Sequence, residues 1–153
     1  MRFWLIKSEP YKFSIEDLAV SPNQTTAWDG VRNYQARNFM WKQMKIGDQV
    51  FFYHSCCKLP GITGIAEVTA PAYPDATQFD SKSRYYDPKA SQDNPRWFNV
   101  EITLKEITRL LTIKELRQYP ELKRMRILQT GNRLSITPVD PDEWKFILTI
   151  LKR

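Results

Sequence analysis

Trp28-Asp29-Gly30-Val31-Arg32-Asn33-Tyr34-Gln35-Ala36-Arg37-Asn38 packs an indole, a phenol, two guanidiniums and several carboxamides into eleven residues. The order predicts a turn at Asp29-Gly30, then Asn33 as N-cap of a helix starting near Tyr34. A helix start offers free backbone N–H groups and a partial positive charge. With a flat aromatic beside it, such a segment suits an unstacked nucleobase and its phosphate. The competing reading makes Trp28 core, Asn33 a cap and the arginines solvated surface.

Upstream, Phe3 to Lys7 is apolar enough for a strand and ends at Lys7-Ser8-Glu9-Pro10, where Pro10 offers no ladder donor. Ser14-Ile15-Glu16-Asp17 is a capping-box pattern for a short helix through Leu18, closed by Ser21-Pro22. Residues 22–27 read as a polar loop delivering the chain to Trp28. Downstream, the helix from Tyr34 is expected to run to about Met44, with Arg37 and Trp41 on neighbouring turns of one side.

Ile46-Gly47-Asp48 reads as a turn, Gln49 to His54 as a strong strand, and Ile62 to Val68 as another. Gly64 and Ala66 in the latter leave room for a close neighbour. Residues 70–95 form a long loop with four prolines. Its Phe79, Tyr85 and Tyr86 favour a folded lid over a disordered linker. From Trp97 to Ile107 the alternation of Phe98, Val100, Ile102 and Leu104 marks a strand. Thr112-Ile113-Lys114-Glu115 opens a helix that stops before Pro120, and Glu121 to Leu128 adds a helical turn or two. Thr130-Gly131-Asn132 turns into a short strand, Arg133 to Ile136. Asp140 caps a last helix with Pro141 at its first position, and Trp144, Ile147, Leu148 and Leu151 give it a core-facing stripe. Strands flanked by short helices, with no regular βαβ rhythm, make one α+β domain over residues 1–153, built on a curved mixed sheet or small barrel.

At 153 residues the chain can bury about two thirds of its unfolded surface. Aromatics at 13%, with a net charge of +6, point toward a polyanionic partner. No stretch approaches the roughly 20 apolar residues of a membrane span, so no membrane partner is expected, and the first seven residues do not form a signal peptide. The two cysteines, Cys56 and Cys57, are adjacent. The chain therefore reads as cytoplasmic, reduced, free of disulfides and metal, and without a cofactor. Residues 101–133 carry eight Lys and Arg against four Glu. They read either as a solvated face or as a phosphate-tracking patch of Lys105, Arg109, Arg117, Lys123, Arg124 and Arg126.

Signals for catalysis are absent. His54 is the one histidine, and its neighbours Ser55 and Cys56 do not make a triad with it, because adjacent strand residues point apart. No dinucleotide or triphosphate loop occurs.

Trp4-x-x-Lys7-Ser8-Glu9-Pro10, Trp28 to Asn33, Ala36-Arg37-Asn38, Gly47-Asp48 with Phe52-Tyr53-His54-Ser55, Gly64 to Val68 and Arg133-Leu134-Ser135, in that order, resemble the EVE domain. The resemblance implies a PUA-like fold: a small mixed β-barrel flanked by short α-helices, related to the YTH domain. It also implies a non-catalytic reader of a modified base, modified cytosine in DNA such as 5-methylcytosine, or modified RNA. Carried over by motif, the base pocket draws on Lys7, Ser8, Trp28, Asn33, Tyr53, His54 and Ser55. Trp28 takes the place of the stacking tryptophan of YTH-like relatives. Arg32, Arg37, Asn38 and Arg133 belong to the rim, where phosphate lies, or support the floor, and Tyr85 is expected as the opposite wall. Two alternatives stand beside this one. A PUA-like amidohydrolase acting on N4-acylated cytidine would use an activated Lys7–Glu9 pair, and a protein-interaction domain would expose an apolar patch.

Overall fold

The computed structural model describes all 153 residues. Strand β1 (Phe3–Ser8) leads to helix α1 (Ile15–Val20), short strand β2 (Thr25–Ala27) and helix α2 (Tyr34–Asn38). Strand β3 (Gln49–His54) and the long strands β4 (Gly61–Pro74) and β5 (Phe98–Thr112) follow. Helix α3 (Ile113–Leu116), strand β6 (Ile136–Val139) and helix α4 (Pro141–Leu151) complete the chain. The strands form one sheet in the order β2-β5-β4-β3-β1-β6. Only β1 and β3 run parallel to each other.

The expected α+β architecture, a mixed sheet with short helices, is therefore present. The sheet is open rather than a closed barrel, because β2 and β6 each keep an unpaired edge.

Strand alternation sorts the core. On β1, Trp4 and Ile6 enter one apolar cluster while Leu5 enters another. On β3, Val50 and Phe52 join the first, Phe51 and Tyr53 the second. Successive side chains leave a strand on opposite faces, and here both faces are covered, which is why β1 and β3 read as almost uninterrupted apolar runs. Helices α1 and α2 roof the first cluster through Ile15, Leu18 and Ala36, and α4 roofs the second through Trp144, Ile147 and Ile150. The Trp144 ring is stacked on Phe51, with centroids 3.8 Å apart.

Several boundaries differ from the sequence reading. Residues 25–27 are strand, because Thr25 to Ala27 pair antiparallel with Glu101 to Thr103 at the sheet edge. The helix from Tyr34 keeps α geometry only to Asn38 and continues as a π-helical turn, Phe39–Gln43, closed by the Met44 N–H on the Phe39 carbonyl. β4 and β5 run past their expected ends, bent by repeated register shifts. Ile136 opens β6, whereas Arg133 to Ser135 precede it. The close neighbour for which Gly64 leaves room is Ile15 of α1: a Cβ there would lie 2.7 Å from its Cδ1.

The segment after β4 is ordered by two fully buried polar side chains, Asp75 and Gln78. The Gln78 amide accepts from the Arg96 and Trp97 N–H groups at 2.9 Å each and donates to the Asp75 and Trp97 carbonyls at 2.8 Å. The segment is thus folded, as its aromatics suggested.

Candidate functional site

The parallel strands β1 and β3 end side by side, and the chain leaves both at the same edge of the molecule. A cavity of about 620 Å³ opens there. Lys7, Ser8 and Glu9 line it from the end of β1, and Ser55 and Cys56 from the end of β3. Thr26 to Arg32 form a third wall, Tyr85 a fourth, and Arg133 with Ser135 close it from the approach to β6. Backbone bonds tie these strand ends together: Lys7 N–H donates to the Ser135 carbonyl at 2.8 Å, and Ser55 N–H to the Ser8 carbonyl at 2.9 Å.

Trp28 is half-buried. Its edge meets Phe13 and Phe52 at centroid distances of 6.1 and 5.7 Å, and its backbone N–H donates to the Val100 carbonyl. Core contact and cavity wall, posed as alternatives from sequence, are both satisfied by one indole.

Asp29-Gly30 makes the turn after it, with Gly30 at φ +79°. The left-handed backbone favours glycine, and space demands it as well, because a Cβ there would fall 2.8 Å from the Tyr85 ring. Gly30 N–H donates to Asp75 Oδ2 at 2.8 Å. Arg32 donates to the same oxygen at 3.1 Å, to Thr77 Oγ1 at 3.0 Å and to the Tyr85 carbonyl at 2.7 Å. Burial pushes the Asp75 carboxyl up, but hydrogen bonds from Thr77, Gly30 and Arg32 outweigh it and hold it below the usual carboxylate range. Arg32 is accordingly a strut that ties Tyr85 to the turn at Gly30 through Asp75.

Three charged groups, Lys7, Asp29 and Arg133, line the cavity without an ion pair. Lys7 forms no ion pair; burial lowers its ammonium below the usual range, with the Cys56 thiol opposing that shift. The Asp29 carboxyl is raised by partial burial and by the nearby Asp75 charge. Glu9 does not pair with Lys7: it meets Lys12 at 2.8 Å, so the activated pair required by an amidohydrolase reading is not assembled.

Of the residues expected around a pocket, Lys7, Ser8, Trp28, Arg32, Ser55, Tyr85 and Arg133 line this cavity. The Ser8 hydroxyl is engaged by the Phe13 carbonyl. The others lie elsewhere. Tyr53 alternates to the opposite face of β3 and is buried beneath α4's side of the sheet, where burial pushes its phenol up to about 12. His54 turns to α1, its Nε2 accepting the Ile15 N–H at 3.0 Å. Asn33 caps α2 through the Ala36 N–H at 3.0 Å. Arg37 grips Asn38 Oδ1 and, at 2.7 Å, the Arg96 carbonyl. The expected phosphate patch is partly spent on acids, since Lys105 lies 3.8 Å from Glu67 and Arg109 3.0 Å from Glu115. Sequence reasoning missed Asp29, Val31, Phe13 and Cys56 as wall residues, and Asp75 as the support of Gly30 and Arg32. Asp29 lay inside the quoted stretch, but Asp75 carried no signal in a loop with ordinary acidic content.

The EVE domain family model matches residues 2–150. Human thymocyte nuclear protein 1 is 46% identical over 165 residues, covering 96% of this chain and 72% of that protein. The crystal structure of human THYN1 in complex with 5-methylcytosine-containing DNA superposes with a TM-score of 0.92 at 44% identity, over 100% of this chain and 99% of that one. A Pseudomonas syringae protein of known crystal structure gives 0.90 at 44% identity, over 97% and 98%. The cytoplasmic placement expected from sequence is corrected by the relatives named thymocyte nuclear protein 1, a name that points to the nucleus. It rested on adjacent reduced cysteines and the lack of a signal peptide, and both features suit the nucleus equally well.

Proposed function

The chain belongs to the EVE domain family, and from that premise we propose that it reads modified cytosine in DNA without chemical catalysis. The observation that carries the reading is the cavity framed by Trp28, Asp29, Lys7 and Tyr85, in a chain closely similar to one crystallised with 5-methylcytosine-containing DNA. Cavities of this size ordinarily hold small ligands. A base inside a duplex must be extruded to enter, at a cost of a few kcal/mol. Stacking on an aromatic ring contributes about 1–3 kcal/mol per base, and Trp28 and Tyr85 present two rings. The Asp29 carboxylate suits the exocyclic amine of cytosine, the pairing acids make with that base. Lys7 and Arg133 supply positive charge near the sugar-phosphate.

The apolar part of the wall, Phe13, Ala27 and Val31, suits a substituent at C5. Burying one methyl group contributes about 0.8 kcal/mol, which corresponds to a preference of about fourfold over unmodified cytosine.

The test is a titration with one oligonucleotide series in which a single cytosine is unmodified, 5-methylated, 5-hydroxymethylated or N4-methylated, as DNA and as RNA. The reading expects tightest binding to 5-methylated DNA, and in Asp29→Ala weaker binding to methylated and unmodified cytosine alike, with the preference between them kept. Equal affinity across the series would overturn it.

A further inference from the structure

Arg32, in the cavity wall, lies over two rings: Tyr85 at 5.4 Å and Trp97 at 5.1 Å from the guanidinium carbon. Trp97 is stacked on Tyr34 at 4.8 Å. Arg37 then lies over Tyr34 at 4.6 Å and over Trp41 at 5.3 Å, and Trp41 is stacked on Phe98 at 4.4 Å with the two ring planes nearly parallel. Lys42 closes the series 5.1 Å over Trp41. Cations and rings alternate without a gap from the cavity to the surface of the π-helical turn. At the outer end Tyr34 and Trp41 remain 47% and 44% exposed.

At the outer end of the ridge the charges of Arg37 and Lys42 are not consumed by acids, whereas Arg32 at its inner end is paired with Asp75. Arg37 and Lys42 form no ion pair, and Arg96, which donates to the Tyr34 hydroxyl, has only Asp87 at 3.6 Å. Ring faces and the Arg96 carbonyl hold the guanidinium of Arg37 in place, so less side-chain freedom is lost on meeting an anion. Arg109 of the patch named from sequence is, by contrast with Arg37 and Lys42, committed to Glu115 at 3.0 Å.

We propose that Tyr34, Arg37, Trp41, Lys42 and Arg96 form the docking ridge for the phosphodiester backbone of the DNA whose base enters the cavity. The inference rests on the DNA-reading function above and adds where the strand runs: from the cavity mouth past Arg32 and along α2 and its π-helical turn.

The test uses the full chain and a labelled duplex, with and without one 5-methylcytosine, titrated between about 50 and 200 mM salt. Lys42→Gln, at a side chain that makes no hydrogen bond or ion pair, and Arg37→Gln should each weaken both duplexes by the same factor. Each should also lower the slope of log K against log[salt] by about 0.9 for every phosphate that is no longer neutralised. An unchanged slope in Lys42→Gln together with an unchanged slope in a Lys42→Gln/Arg96→Gln double variant overturns the proposal. So does a slope that falls instead in Lys123→Gln/Arg124→Gln. Failure of the modified-base reading shows differently, as equal affinity of the unsubstituted protein for the two duplexes, and the slope comparison still decides the ridge.

Discussion

Gly30 carries two constraints that no side chain satisfies together: a positive φ and a Tyr85 ring against its α-carbon. Gly30→Ala should therefore displace Tyr85 and strain the backbone, costing about 1–3 kcal/mol of stability together with most of the binding attributed to the second ring. A thermal melt beside a DNA titration checks both. Trp28→Ala should show the same double loss. Its indole is only half-buried, so the melt should fall by less than the about 3–5 kcal/mol of a fully buried tryptophan, while affinity drops by about 1–3 kcal/mol. Asp29 adds a pH signature. To accept from a cytosine amine it must be ionised, and its pKa is raised. Affinity should strengthen as pH climbs through that raised value and level off above it, a trend absent in Asp29→Ala.

At the level of elements, strand β3 serves the site by where it ends, and two of its residues expected in the pocket do structural work instead. The neutral His54 ring receives a backbone N–H at the start of α1. Burial lowers its pKa, with Glu16 opposing, so the folded state favours the unprotonated ring. The unfolded chain takes up the proton first, near the ordinary value of 6.5. His54's contribution is thus full above that value and falls away as pH drops through the lower folded value. Melts between about pH 5 and 8 should show this decline in the unsubstituted protein and a flatter profile in His54→Gln. The sequence made the elements legible because β1 and β3 have apolar runs, β5 alternates, and the helices have explicit caps at Ser14, Asn33, Thr112 and Asp140. It was silent on which face of a doubly covered strand looks at the cavity, since both faces are apolar. That is why Tyr53 was placed with the pocket. It was equally silent on β2, three residues whose strand character comes wholly from pairing with β5. The switch to π geometry after Asn38 likewise lacks a local signal, since Phe39 to Gln43 are ordinary helix formers.

For the molecule as a whole, the two apolar clusters divide labour. The cavity residues Phe13, Trp28 and Val31 pack on the first, whereas the second, centred on Phe51 and Trp144, contributes no residue to the wall. Trp144 is sandwiched between Phe51 at 3.8 Å and Phe3 at 4.8 Å. Trp144→Ala should cost about 3–5 kcal/mol, a large part of the about 5–15 kcal/mol of a typical domain. DNA affinity of whatever remains folded should be unchanged, which a titration well below the new melting temperature would establish. The place of β1, between β3 and β6, also sets a schedule for the chain as it is made. Strand β1 must wait for Ile136 to Val139, far along the chain, before its second edge is covered, and pairing over such a span is slow. Arg133 and Ser135 reach the cavity on that same late segment. A nascent chain therefore has no complete cavity until β1 and the approach to β6 have met, and a base held against both would act as a latch that slows their parting.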